Sequence, residues 1–145
     1  MRYFTLKPNK DAPIVFYDGT CGFCHTSVRK LLIWDKKKVF RFVSLQSESG
    51  RSLLDTTGVF ASGQSIPDSL LVWDAQVVYV YFSAVTFIGK KLPCPFLWLG
   101  SLAQVLPGKW MDWAYRKFAK KRHTWFGHAP ACWLPSEEDR ARFLD

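Results

Sequence analysis

The chain reads as an α/β fold, a mixed sheet with helices on both faces, continued by a helical C-terminal extension. Three observations lead there. Ile14-Val15-Phe16-Tyr17 is a short apolar run of β-branched and aromatic residues stopped by the turn dipeptide Asp18-Gly19, the pattern of a buried central strand. Helical periodicity through Val28, Leu31 and Leu32 then gives way to strand-like residues 39–43, so strand, helix and strand make a parallel, right-handed βαβ unit. Finally, Leu70-Leu71-Val72-Trp73 and residues 77–82 flank the polar break Asp74-Ala75-Gln76 as the arms of a β-hairpin.

Taken in order, residues 1–13 hold Pro8 and Pro13 and lead in as a loop or weak edge strand. The first helix runs from Gly22 to about Trp34, with Arg29 and Lys30 between its apolar positions, and Lys36-Lys37-Lys38 turns the chain toward the second strand. Residues 47–57, with Leu53 and Leu54 among serines, form a helix, and residues 59–64 a Gly- and Ser-rich loop. After the hairpin, Ser83 suits the N-cap of a helix holding Ala84, Val85, Phe87 and Ile88 and stopping near Gly89 or Leu92, before Pro93. The order is therefore β-α-β-α-β-β-α. Two helical stretches follow, residues 95–106 and 109–123, parted by Pro107-Gly108; the second is amphipathic and basic, and Ser136 caps a last short helix. One domain is expected over residues 1–145, with a core of about 14–92 and an extension of about 93–145.

Composition sets further bounds. Apolar residues make up 48% of the 145, enough for a packed core and too many for a disordered chain. The net charge of +8 gathers in residues 29–41 and 109–122, whose commonest meaning is a solvated face. The first residues lack an apolar secretory core, and the longest apolar run, residues 96–106, is too short to span a bilayer. A reducing cytoplasm is the expected location, where four cysteines do not form a structural disulfide framework. Trp110, Trp113, Trp125 and Trp133 are expected to pack the extension on the sheet, with a membrane-surface element or partner groove as the lesser reading.

The chemistry concentrates in Cys21-Gly22-Phe23-Cys24, at the start of the first helix. A thiol attacks a disulfide as thiolate, and the unpaired N–H groups and macrodipole of a helix N-terminus stabilise that charge. Two intervening residues let both sulfurs meet across the first turn, so Cys21, the more exposed, attacks and Cys24 resolves. Two other uses compete. Tetrahedral zinc needs two further ligands, for which Cys94, Cys132, His25, His123 and His128 are candidates without forming a second CxxC or an HxxxH pair. Alternatively the two cysteines simply pack in the core. Asp18 before a glycine makes an Asx-type turn; the sharper role is a carboxyl of raised pKa that exchanges a proton with Cys24. His25 is expected to face solvent, with thiolate stabilisation as its alternative, and Cys94 and Cys132 are assigned no catalytic part.

The run Tyr17-Asp18-Gly19-Thr20-Cys21-Gly22-Phe23-Cys24 resembles the signature of the DCC family of thiol-disulfide oxidoreductases. Pro67-Asp68-Ser69-Leu70, Ser83-Ala84, residues 112–122, Phe126-Gly127 and Cys132 are similar to later family segments, so the likeness extends from Ile14 to the end. It implies a thioredoxin-like fold in agreement with the element order. It also implies that Pro67 is similar to the cis-proline facing the CxxC turn of such folds, so that Ile66 and Pro67 border the dithiol and bind an extended substrate segment. On the residues alone, Pro67 is an ordinary trans proline opening an edge strand. The expectation is a thiol-disulfide oxidoreductase needing no metal or organic cofactor. Its partners are a protein or small-molecule thiol or disulfide and a separate thiol reductant, with no nucleic acid and with peripheral membrane contact the lesser possibility. Its rivals are a redox-inactive thioredoxin-like binding module that uses the basic, Trp-rich C-terminal surface, and a zinc-binding CxxC protein.

Overall fold

The structure, a computed structural model, describes residues 12–60, 70–74, 77–92, 105–127 and 135–145. Within them the elements are β1 (Ile14–Tyr17), α1 (Gly22–Trp34), β2 (Arg41–Ser44), α2 (Glu48–Thr57), β3 (Leu71–Asp74), β4 (Val77–Val80), α3 (Tyr81–Lys91), α4 (Gly108–Phe126) and α5 (Glu137–Arg140). The sheet order is β2-β1-β3-β4, with β1 parallel to β2 and antiparallel to β3, and β3 antiparallel to β4. This mixed α/β architecture agrees with the predicted element order and is consistent with the thioredoxin-like fold that the family resemblance implies.

Strand alternation divides the core. Val15 and Tyr17 face one side of β1, where Cys24, Val28 and Leu31 of α1 and Ala84 and Ile88 of α3 cover them; Ile14 and Phe16 face the other, against Leu54 of α2. The central strand is buried along its whole length, as a strand covered on both faces must be. Helix α4 forms an outer layer against α1 and α3. No helix among the described residues is long and apolar enough to cross a membrane.

The end of α1 explains why β2 begins at Arg41, later than residues 39–43 suggest. Asp35 closes the helix by donating its N–H to Leu31 (2.8 Å), and its carboxylate accepts the N–H groups of Val39 (3.0 Å) and Phe40 (2.9 Å). Those two donors are therefore held by a side chain. The same carboxylate pairs with Arg142, whose Nε donates to the Phe40 carbonyl at 3.3 Å and whose guanidinium lies 5.2 Å from the Phe42 ring centre. Beside it the C-terminal segment hydrogen-bonds along β2, Phe42 donating to Arg142 and Leu144 to Phe42, both at 2.9 Å, which covers that sheet edge.

Other departures are also local. The second hairpin arm stops at Val80, because Tyr81, at φ 52°, turns the chain into α3. Ser83 is accordingly not the N-cap; it sits three residues inside, and its hydroxyl reaches back to accept the Val80 N–H at 3.1 Å. Helix α2 is capped by Ser47, whose hydroxyl accepts the Gly50 N–H at 2.9 Å, and Gly50 has no room for a side chain, since a Cβ would lie 2.0 Å from the Ser44 carbonyl oxygen. Helix α4 runs to Phe126 and ends at Gly127, whose φ of 67° suits a helix C-terminus. The helix expected over residues 95–106 lies outside the described residues up to 104, as does Trp133. Contrary to expectation, Trp110, Trp113 and Trp125 do not pack on the sheet: they are 76%, 61% and 62% exposed, because Phe118 and Ala119 make the inward face of α4.

Arg142→Leu leaves the Asp35 carboxylate stranded in the core and should lower the unfolding free energy by about 3–5 kcal/mol. Urea denaturation followed by circular dichroism measures it, and Asp35→Asn combined with Arg142→Leu should recover part of the loss. A single-variant loss below about 1 kcal/mol, the level of an exposed ion pair, would contradict this account.

Candidate active site

At the end of β1 the chain turns through Asp18, Gly19 and Thr20 and enters α1 behind Cys21, which is extended (φ −92°, ψ 121°) and stands at the N-cap. The turn is an Asx turn. Asp18 Oδ1 accepts the Thr20 N–H at 2.9 Å and the Thr20 hydroxyl at 2.7 Å, while the Asp18 carbonyl accepts the Cys21 N–H at 3.3 Å. Gln46 fastens this turn to the segment after β2, accepting the Gly19 N–H and donating to Asp18 Oδ1, each at 2.8 Å. A Cβ on Gly19 would come within 2.6 Å of the Ser44 hydroxyl, which would have to move aside.

Both cysteines are unbridged and buried, Cys21 at 0% and Cys24 at 3% exposure, so the expected greater exposure of Cys21 does not hold. They pack in the cluster built on Val15, Tyr17 and Val28, and the two residues between them meet α4 and its C-terminal end. Gly22 donates its N–H to the Gly127 carbonyl at 3.4 Å, and Phe23 packs against Phe118 and Phe126 with both ring centres at 5.0 Å. An N–H group expected to serve a thiolate is thus directed at a carbonyl.

Asp18 is itself buried, and its Oδ2 accepts from the Arg122 guanidinium at 3.3 Å. This buried ion pair links the end of β1 to α4. Arg122 belongs to the basic run of residues 109–122, yet its position also continues the apolar series Met111, Tyr115 and Phe118 at helical spacing. That spacing is the sequence signal that distinguishes it from its exposed neighbours; for Gln46 there is none.

Burial pushes the Cys24 thiol up to about 12; the Arg122 charge opposes this, the neighbouring Cys21 adds to it, and a hydrogen bond from the Asp18 backbone opposes it. At neutral pH Cys24 therefore carries its proton. Burial also raises the Tyr17 phenol, with the Asp145 carboxylate adding to the effect. His25 is half-buried rather than solvent-facing: its Nε2 lies 2.7 Å from the Gly19 carbonyl, which can only accept, so Nε2 carries hydrogen. Its ring meets Tyr17 edge-on at 5.8 Å.

A largely apolar cavity of about 370 Å³ opens between α1, α3 and α4, with Phe23, Cys24, Leu31, Ile88, Phe118 and Arg122 on its wall. The structure thus brings together Cys21, Cys24 and Asp18 and adds Arg122 and Gln46. Ile66 and Pro67 lie outside the described residues, as do Cys94, Cys132 and His128. Among the described residues no three His, Cys, Asp or Glu side chains gather as a metal site would require.

A family model described as DCC1-like thiol-disulfide oxidoreductase matches residues 15–128. The chain is 32% identical over 137 residues to the uncharacterized protein YuxK of Bacillus subtilis (strain 168), spanning 94% of this chain and 95% of that protein. It is also 32% identical over 124 residues to the chloroplastic DCC family protein At1g52590 of Arabidopsis thaliana, spanning 84% of this chain and 69% of that one. No solved structure matches.

The Cys24 shift has a signed consequence for stability. The folded state keeps a proton that the unfolded chain releases near pH 9.0, so stability present below that pH falls as the pH rises toward about 12. Urea denaturation of the reduced protein should show this decline at up to about 1.4 kcal/mol per pH unit, and Cys24→Ala should be shallower. Equal slopes for the two proteins would remove Cys24 from the account.

Proposed function

Because this chain belongs to the DCC1-like thiol-disulfide oxidoreductase family, we propose that it cycles Cys21 and Cys24 between dithiol and disulfide, exchanging two electrons with a protein or small-molecule partner in a reducing cytoplasm. The supporting observation is the placement of two unbridged thiols on the first turn of α1, beside the buried Asp18–Arg122 pair.

In the reducing direction, the Cys21 thiolate attacks a substrate disulfide. A bond forms between Cys21 and one substrate sulfur, the substrate S–S bond breaks, and the other sulfur leaves as thiolate and takes up a proton. Cys24 then gives up its proton and attacks the Cys21 sulfur, forming the internal disulfide and releasing the second substrate thiolate. Two electrons pass from the dithiol to the substrate, and a separate thiol reductant returns them. The cycle calls for no metal or organic cofactor. A thiol held protonated by burial needs help to ionise: Arg122 favours the Cys24 thiolate, and Asp18 is the proposed acceptor of its proton. Ile66 and Pro67 are proposed to border the substrate segment.

The complete burial of Cys21 favours a second reading, in which the fold is kept for binding and the cysteines are not redox-active.

Redox titration against glutathione and an insulin-reduction assay decide between them. The enzyme reading expects a reversible Cys21–Cys24 disulfide, no measurable turnover in Cys21→Ser, and mixed disulfides retained on Cys21 in Cys24→Ser; absence of a reversible internal disulfide would sink it. Asp18→Asn should slow resolution by about 100-fold, the lower end of proton-transfer contributions. Full rate in Asp18→Asn at every pH would confine Asp18 to shaping the turn.

A further inference from the structure

The exposed face of α4 has no part in the dithiol chemistry and carries an unusual combination of side chains. Trp110, Trp113, Lys117, Lys121 and Trp125 follow one another at three- and four-residue steps, a single stripe along the helix. All three indoles are more than half exposed, and just before the helix Val105 and Leu106 are 82% and 51% exposed. Large apolar side chains grouped in water mark a surface that meets something else.

The charges on the same helix indicate what that is. Lys109, Arg116, Lys117, Lys120 and Lys121 are exposed, against Asp112 as the helix's acidic residue. The Lys117 ammonium lies 4.3 Å from the Trp113 ring centre and the Lys121 ammonium 5.8 Å from that of Trp125, so cation and indole occupy the same level of the surface. An anionic bilayer offers the matching layers: phosphates for the lysines, the headgroup boundary for tryptophan, and acyl chains for Val105 and Leu106. A nucleic acid would meet the lysines and could stack on indoles, but it gives the two exposed aliphatic side chains no partner.

We infer that α4 and the residues just before it form an interfacial docking surface for an anionic phospholipid membrane, on which the protein lies without crossing. The surface is separate from the cysteines, and its test has no redox readout, so it stands or falls apart from the proposed activity.

Co-sedimentation of the full chain with vesicles tests it. The protein should pellet with phosphatidylcholine vesicles containing phosphatidylglycerol and not with phosphatidylcholine alone, with a blue shift of tryptophan emission as the indoles leave water. Lys117→Gln with Lys121→Gln should weaken partitioning about fivefold for each charge removed, the worth of one basic residue near an anionic surface. Trp110→Ser with Trp113→Ser should weaken it at least as much while leaving the circular dichroism spectrum unchanged. Failure to pellet with the anionic vesicles at low salt would overturn the inference. So would undiminished binding of the double tryptophan variant, or tighter binding to an oligonucleotide or to polyglutamate than to the anionic vesicles.

Discussion

The buried pair between Asp18 and Arg122 is the interaction on which the rest of the site depends. A carboxylate taken out of water at the end of a central strand is costly, and here its charge is met by a guanidinium from a residue 104 positions later and by hydrogen bonds from Thr20 and Gln46. The requirement is mutual, since Arg122 is almost wholly buried as well. Satisfying both charges seats α4 against α1. That seating brings Gly127 onto the Gly22 N–H and Phe118 and Phe126 onto Phe23, so the two residues between the thiols are enclosed together with the ion pair.

Helix α1 is held in this way at both ends. Asp18 precedes it and Asp35 closes it, and each carboxylate meets an arginine from the C-terminal third of the chain, Arg122 on α4 and Arg142 beside β2. Neither arrangement is an ordinary surface ion pair: all four side chains are buried, and the carboxylates also accept backbone N–H groups, one at Asp18 and two at Asp35. The helix that carries the dithiol is therefore fixed relative to the sheet by charges that cannot be left alone in the core, as well as by apolar packing through Val28 and Leu31.

What could be read from the sequence was local. β1 and α1 are signalled by their own residues, the four-residue apolar run and the helical spacing of Val28 and Leu31, and both appear within the expected bounds. The hairpin is likewise carried by its own arms. Where element boundaries differ from that reading, a neighbouring group sets them: Asp35 takes the N–H groups of Val39 and Phe40 and delays β2, and the turn at Tyr81 moves the start of α3 ahead of Ser83. Cys21, Cys24 and Asp18 were legible as a group because they are close in sequence. Arg122 was hidden in a basic run, since charge alone does not tell an arginine aimed inward from lysines aimed outward. The exposed tryptophans illustrate the converse, because hydrophobicity alone does not tell a core residue from one left on the surface.

The same enclosure changes how the thiols must work in the proposed cycle. Open CxxC sites at a helix N-terminus draw on unpaired N–H groups and the macrodipole to stabilise a thiolate. In this protein the Gly22 N–H is directed at the Gly127 carbonyl, and burial raises Cys24 far above an ordinary thiol, so the helix end is not the sole means of favouring ionisation. Arg122 supplies a charge that moves Cys24 in the opposite direction from burial, and it does so from within the pair that neutralises Asp18. Any proton passing from Cys24 to Asp18 would weaken that pair and leave the guanidinium more available to the new thiolate. The cost of ionising a buried sulfur is thereby offset by redistributing a positive charge already present, without bringing water into an apolar site. On this argument the ion pair serves two ends: it closes the fold over the dithiol, and it supplies the electrostatic compensation that closure demands.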